Sequence, residues 1–385
     1  MNNKIKIIVV TGTRAEYGLL KRLINLIDHD EKFILNIIVT GSHLSKKHGN
    51  TYKEIEQDGY INNYKINIGI DNDLPEDISK STASAINGFS EAYKNINPDL
   101  VIILGDRYEL LGAAISAMFY KIPIAHIHGG ELTYGAIDDL IRHSLTKMSH
   151  IHFVATEEYK KRVIQLGENP KYVYNVGGLG VDAIQNIQLL NKNQIEFELG
   201  IPISEKLFII TYHPVTIENN EEYEVAQLLK AISDFSEYQI IFTMPNADQN
   251  NKVITKLIKE YIKNRKNSYL FSSLGQLKYL SCVALSNVVI GNSSSGILEV
   301  PSFKIPTVNI GSRQSGRVKS ASIIDCKAEY TSIFNSIKKA LSSDFKKDIK
   351  KMKNLYEKKD TSNSIYKILK NVALKEIIQK KFQDL

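Results

Sequence analysis

Near the start of the chain, Thr11-Gly12-Thr13-Arg14-Ala15-Glu16-Tyr17 sets an arginine just past a glycine turn, at the opening of a helix. Free backbone N–H groups and a guanidinium at such a position favour an anion. Gly105-Asp106-Arg107 puts a charged pair where a buried strand ends, and His126-Ile127-His128-Gly129-Gly130-Glu131 does the same with histidines and a carboxylate. Asp138-Asp139 and Arg142-His143 follow. Asp138 and Arg142, at i and i+4, share one helix face and can form an ion pair. Asp106, Glu131 and Asp138 are the acid–base candidates that this pattern offers, with Arg142 beside them.

The second half carries a different set. Tyr212-His213-Pro214-Val215-Thr216 places His213 directly after a strand. Val288-Val289-Ile290-Gly291-Asn292-Ser293-Ser294-Ser295-Gly296 reads as a strand, a glycine and serine turn, then a helix. Amides and hydroxyls at such a start can cradle a pyrophosphate. Glu299 follows one turn later, where a carboxylate can accept both hydroxyls of a ribose. Three consecutive serines exceed what a helix cap requires. No GxxxxGK[ST] loop is present, which excludes an ATP-hydrolysing P-loop, and the first turn lacks the GxGxxG of nicotinamide binding.

These residues need strand ends to hold them, and the sequence supplies them. Ile5–Val10, Phe33–Val39, Val101–Leu104, Pro123–His126 and His152–Val154 are mostly apolar and do not alternate with polar residues, the mark of parallel strands buried on both faces. Helical patterns fill the intervals at Tyr17–Asp28, Glu109–Tyr120, Ile137–Met148 and Glu157–Leu166. The second half restarts the alternation with Leu207–Thr211, Gln239–Phe242, Ser268–Phe271, Val288–Ile290 and Thr307–Asn309. The expected class is α/β: two Rossmann-like doubly wound domains facing a cleft, with Gly177-Gly178-Leu179-Gly180 as the hinge.

Composition bounds the alternatives. The chain has 385 residues, 43% hydrophobic and 24% charged, which suits about two ordinary globular domains and excludes disorder. No apolar run reaches the roughly 18 residues of a membrane span, and Ile5–Val10 is too short for a signal peptide. With only Cys282 and Cys326, neither a disulfide framework nor a zinc knuckle is expected, and a reducing cytoplasm is the default. Residues 344–385 hold 12 lysines against 6 acids, so they account for +6 of the net charge of +7. The remainder lacks the basic stripe that nucleic acid needs.

Taken together, the stretches from Gly12-Thr13-Arg14-Ala15-Glu16-Tyr17 to Asn309-Ile310-Gly311-Ser312-Arg313-Gln314 resemble the UDP-N-acetylglucosamine 2-epimerases. The resemblance is specifically to the hydrolysing branch, which makes N-acetylmannosamine for sialic acid synthesis. It implies a fold like that of B-type glycosyltransferases. The expected domains are 1–177 and 178–363, with the C-terminal helix 364–385 crossing back onto the first. It also implies a homodimer that works without metal or cofactor. Carried over by position, Arg14 and Arg107 are nucleotide-sugar contacts, Ser293 and Ser294 pyrophosphate ligands, Glu299 the ribose ligand and Arg313 a phosphate-side cation. Asn246 is nucleotide-proximal, and His213 stabilises the departing UDP. Relatives often carry glutamate where this chain has His128, so either Glu131, the nearest carboxylate, or His128 itself fills that role. The implied reaction eliminates UDP from C1 as a base takes the C2 proton, then hydrates the resulting 2-acetamidoglucal. The alternatives are a hydrolysing epimerase of a 2,4-diacetamido-trideoxy nucleotide sugar and a non-hydrolysing epimerase.

Overall fold

A computed structural model describes residues 4–61, 63–70, 74–134, 137–213, 221–244 and 251–384. The chain divides into two compact units, the first made of Met1–Leu132, Ala136–Ala183 and Lys358–Leu385, the second of Thr133–Gly135 and Ile184–Glu357.

The first unit holds seven strands: β1 Ile5–Thr11, β2 Phe33–Val39, β3 Tyr64–Lys65, β4 Leu100–Leu104, β5 Ile124–Ile127, β6 Ile151–Val154 and β7 Val173–Asn175. They form one parallel sheet in the order β3-β2-β1-β4-β5-β6-β7. Alternate residues of β1 serve opposite faces. Ile7 and Val9 join the core under the helix Arg14–Asp28, whereas Ile8 and Val10 join the core under Pro75–Ile96 and Glu109–Phe119. Burial on both sides is why the run shows no polar alternation.

The second unit repeats the plan with β8 Leu207–Thr211, β9 Gln239–Thr243, β10 Ser268–Phe271, β11 Val288–Gly291, β12 Thr307–Ile310 and β13 Ile323–Cys326. Its order is β10-β9-β8-β11-β12-β13, again parallel throughout. In each sheet the strand order reverses once, between β1 and β4 and between β8 and β11, the places where doubly wound folds bind ligands.

Three edge strands and one long helix escape the sequence reading. β3, β7 and β13 are short and carry polar residues. The helix Pro75–Ile96 buries Ser81, Ala85 and Ala92 beside Phe89 and Tyr93, so its inner face is too small and polar to show as an apolar stripe.

The unit boundary also differs from the expected hinge. The helix Leu179–Asn186 begins at the glycine cluster, and its first turn stays with the first unit. Leu179 lies in that unit's core, and buried Asp182 pairs with Arg22 at 2.8 Å. Asp182 also accepts a hydrogen bond of 2.5 Å from the Ser362 hydroxyl. The glycines therefore precede a packed helix, and the chain leaves the first unit only after Ala183. It returns at Lys358, and the helix Thr361–Asn371 lays Ile365 and Leu369 into the core beside Leu20 and Ile24.

Among the described residues, no helix is long and apolar enough to cross a membrane. Nor does any group of three or more His, Cys, Asp or Glu there offer a metal site.

Candidate active site

In the first unit, the polar residues collect beyond the carboxyl ends of β1, β4 and β5. Thr13 caps the helix Arg14–Asp28 by accepting the Glu16 N–H, while the Gly12 N–H donates to Glu16 Oε2 at 2.7 Å. Arg14 points outward and pairs with Glu54 at 3.0 Å. Glu16 is pushed up to about 7, chiefly because burial penalises its charge; the guanidinium of Arg107 opposes the shift without cancelling it.

Beyond β4, Arg107 Nε donates to Glu109 Oε1 at 2.6 Å and lies 3.9 Å from Glu16 Oε1. Glu109 is completely buried, although it opens a helix. The space it occupies explains two glycines. A side-chain carbon on Gly12 would come within 2.4 Å of Glu109 Oε1, and one on Gly41 within 2.7 Å. On the β2 side, buried His43 holds the Thr11 hydroxyl at 3.0 Å and the Thr51 hydroxyl at 2.8 Å. Burial pushes His43 down to about 4, so it is neutral at physiological pH.

Asp106 turns toward Arg142 and bonds Nη2. Arg142 is 3% exposed and works as a hub: its Nη1 also donates to Asp139 Oδ1 at 3.2 Å and to the Glu131 carbonyl at 3.0 Å. The structure thus ties Asp106, Glu131 and the helix Ile137–Met148 together through one guanidinium. Asp138 lies on the exposed side of that helix start, one residue before Asp139.

Glu131 is almost fully buried, and His128 Nδ1 meets its Oε1 at 2.9 Å. The Leu179 N–H reaches His128 Nε2 at 3.4 Å, which assigns the proton to Nδ1 and makes His128 the donor to Glu131. The two glycines between them are not a flexible spacer. Gly130 has φ +77° and would bring a side-chain carbon within 2.6 Å of the Tyr159 carbonyl; Gly129 is closed in by Thr146 and His126. Close packing therefore demands them, and the loop they form is held. His126 plays a scaffolding part: fully buried and pushed down to about 3 by that burial, it stays neutral and bonds the Gly105 carbonyl at 2.7 Å.

In the second unit, the β8 and β11 ends are locked by an amide clamp. Asn292 Oδ1 accepts the His213 N–H at 2.7 Å, and Asn292 Nδ2 donates to the His213 carbonyl at 2.8 Å. Arg313 Nη1 and Gln314 Nε2 each donate to the Asn292 carbonyl at 2.9 Å. Burial pushes the His213 imidazole down to about 3, with the Arg313 charge adding to the shift. Gly291, at φ +133°, lies so close to β8 that a side-chain carbon would sit 1.9 Å from the Thr211 oxygen.

Two of the three serines serve local structure. Ser293 accepts the Ser295 N–H as a cap, and the Ser295 hydroxyl donates to Glu299 Oε2. Ser294, partly exposed, opens the short helix Ser294–Leu298. Asn246 and Pro214–Thr216 lie outside the described residues.

Glu109, Asp139 and His43 were not among the sequence candidates. Glu109 stands two residues after Arg107, and that spacing was the available signal; nothing local marks His43.

Comparison with known proteins now bears on this geometry. The sequence model of the UDP-N-acetylglucosamine 2-epimerase family matches residues 25–370. The chain is 45% identical, over 100% of both sequences, to the GDP/UDP-N,N'-diacetylbacillosamine 2-epimerase (hydrolyzing) of Campylobacter jejuni. It is 39% identical to polysialic acid biosynthesis protein P7 of Escherichia coli, covering 95% of this chain and 94% of that one. With the UDP-N,N'-diacetylbacillosamine 2-epimerase (hydrolyzing) of Legionella pneumophila it shares 36% identity over 96% of each. Among solved structures, the UDP-GlcNAc 2-epimerase of Neisseria meningitidis bound to UDP-GlcNAc superposes with a TM-score of 0.83 at 19% identity, covering 95% of this chain and 100% of that one. That likeness bears on the fold, which is GT-B-like: two parallel-sheet α/β units. By sequence match along nearly its whole length, the chain belongs to the UDP-N-acetylglucosamine 2-epimerase family.

Proposed function

We propose that this protein is a hydrolysing 2-epimerase of a nucleotide-linked 2,4-diacetamido-2,4,6-trideoxy sugar, releasing nucleotide and the free C2-inverted sugar. The observation that carries the reading is the 45% identity, end to end, with the hydrolysing diacetylbacillosamine epimerase. This revises the expectation of UDP-N-acetylglucosamine as substrate. That second reading keeps support from the polysialic acid protein, at 39% identity.

The residues fit the chemistry. A C2 proton beside an acetamido group is barely acidic, so inversion proceeds through elimination. A carboxylate removes that proton as the C1–O bond breaks and its electron pair leaves with the nucleotide. Water then adds to the glycal, hydroxyl at C1 and proton at C2 from the opposite face. Asp106, Glu131 and Asp138 are the carboxylates for the proton transfers. Arg142 holds the Asp106 carboxylate and the Glu131 backbone carbonyl, and His128 holds the Glu131 carboxylate. Arg14 and Arg107 contact the nucleotide sugar, and Arg107 counters charge growing on the leaving group. On the second unit Ser293 and Ser294 take the pyrophosphate, Glu299 the ribose and Arg313 the phosphate side, with His213 and Asn246 near the departing nucleotide. The neutral state of His213 suits a hydrogen-bond donor more than a cation.

The test is incubation in heavy water with UDP-N-acetylglucosamine and with UDP- and GDP-linked diacetylbacillosamine, followed by NMR. The expected outcome is free nucleotide plus C2-deuterated 2,4-diacetamido sugar. Release of N-acetylmannosamine alone favours the second reading, and product lacking C2 deuterium overturns elimination. A homodimer, implied by the family resemblance, is checked by light scattering.

A further inference from the structure

The mechanism leaves two acids without a task, one fully buried and one partly buried. Glu16 and Glu109 both approach Arg107 at Nε, at the point where the first sheet reverses its strand order. Glu109 takes Nε at 2.6 Å, and no hydrogen bond to a described residue uses either Nη nitrogen. The side chain of Arg107 is 37% exposed while Glu109 has no exposure at all. The guanidinium is therefore held at Nε, on a side chain that keeps part of its surface exposed. Among the described residues Glu109 Oε2, though buried, has no hydrogen-bond partner, a costly arrangement; Gly12 and Gly41 make room for Oε1 of the same carboxylate.

We propose that Glu109 and Glu16 are positioning residues for Arg107: Glu109 anchors Nε so that Nη1 and Nη2 present a fork to an anionic group of the substrate, and Glu16 sets the local charge by holding or losing one proton. The anion's identity rests on the nucleotide-sugar reading above; the positioning does not. With Glu16 protonated, Arg107 and Glu109 balance. When Glu16 ionises, a second carboxylate stands 3.9 Å from Arg107 Nε and competes with the incoming anion. Asp106 is paired with Arg142, and His43, pushed down to about 4, is already neutral. Glu16 itself is pushed up to about 7, which puts the transition in the neutral range.

Two readouts test this on the full chain. The first needs no substrate. The Arg107 Nε–H resonance, assigned by its loss in Arg107→Lys, should shift with a midpoint near neutrality. It should lose that response in Glu16→Gln and move upfield, with faster exchange, in Glu109→Gln. A resonance that ignores both substitutions overturns the proposal. The second is steady-state kinetics with the nucleotide sugar turned over in the panel above. KM should rise about tenfold between pH 6 and pH 8, the size of one charge-assisted hydrogen bond, with kcat nearly constant. In Glu16→Gln, KM should be flat across that range. Glu109→Asp should recover part of what Glu109→Gln loses in kcat/KM, since a purely space-filling role would favour glutamine. If Glu16→Gln keeps the wild-type KM profile, Glu16 does not set the charge. Should no nucleotide sugar turn over while the resonance behaves as expected, the reaction assignment falls and the positioning pair stands.

Discussion

His128 Nδ1 donates to Glu131 Oε1 at 2.9 Å, from a backbone held at φ +67°. Few residues other than glycine accept that conformation without cost, so the loop places this imidazole deliberately. His128 is thus the partner that orients the neighbouring carboxylate.

From this pair follows a difference between two variants. Glu131→Gln should lower kcat about a hundredfold or more, as loss of a general acid–base group does. His128→Ala leaves the carboxylate in place but unoriented, so a loss of about tenfold is expected. Neither should change UDP affinity by calorimetry. Near-normal turnover in Glu131→Gln together with none in His128→Ala would reverse the two roles.

Nucleotide binding is expected to depend on the second unit. Glu299→Ala and Arg313→Ala each remove a charged hydrogen-bonding group worth about 1.5–3 kcal/mol, so UDP affinity should fall at least about tenfold in either. Because Arg313 also braces the Asn292 carbonyl, a melting curve must show that the variant remains folded. Calorimetry with unchanged affinity in both proteins moves the nucleotide site elsewhere.

Gly291 admits no side chain. Gly291→Ala would drive a carbon into the Thr211 backbone at 1.9 Å, and neither strand can retreat without breaking the β8–β11 ladder. A loss of about 4 kcal/mol or more is expected, in the class reserved for core disruption. Gly311→Ala is the control: φ is +74° but nothing lies within 4 Å, so only the left-handed backbone cost of about 1–2 kcal/mol should appear. Equal urea midpoints for the two variants would refute the steric argument.

Acid should weaken the first unit through its neutral histidines. His126 is pushed down to about 3 and His43 to about 4, both by burial, so below pH 6.5 the unfolded chain binds protons that the folded chain refuses. Stability then falls as pH drops, by about 2 kcal/mol for the pair between pH 6.5 and 5.5. Glu16 acts in the opposite sense. Its raised value means that the folded state holds an extra proton between about 4.5 and 7, so its contribution grows as pH falls through that window. Over the same step it should offset about 1 kcal/mol. Urea unfolding should accordingly show a steeper acid loss in Glu16→Gln than in the wild type. Identical slopes would return Glu16 to the ordinary carboxylate range.

What the sequence by itself determined was the alternation of predominantly apolar strands with helices, and hence two parallel sheets whose loops carry the chemistry. It did so because a strand buried on both faces has no room for polar residues, so that β1, β4, β8 and β11 stand out without any tertiary information. Edge strands β3, β7 and β13 are covered less, tolerate polar residues, and leave no such trace. The same limit applies to the site. Asp106 and Glu131 were legible as chemical types past strand ends and Arg142 as one on the following helix, yet their union depends on that one buried guanidinium, which bonds the loop after β4, the loop after β5 and its own helix. Tertiary packing alone decided that Gly129 and Gly130 form a held turn and that Gly177 and Gly178 precede a packed helix, since a glycine's role depends on what lies where its side chain would be. Only the folded chain could bring Glu109 under Gly12 and Gly41 and set it against Arg107, because no local pattern distinguishes a buried carboxylate from a solvated one.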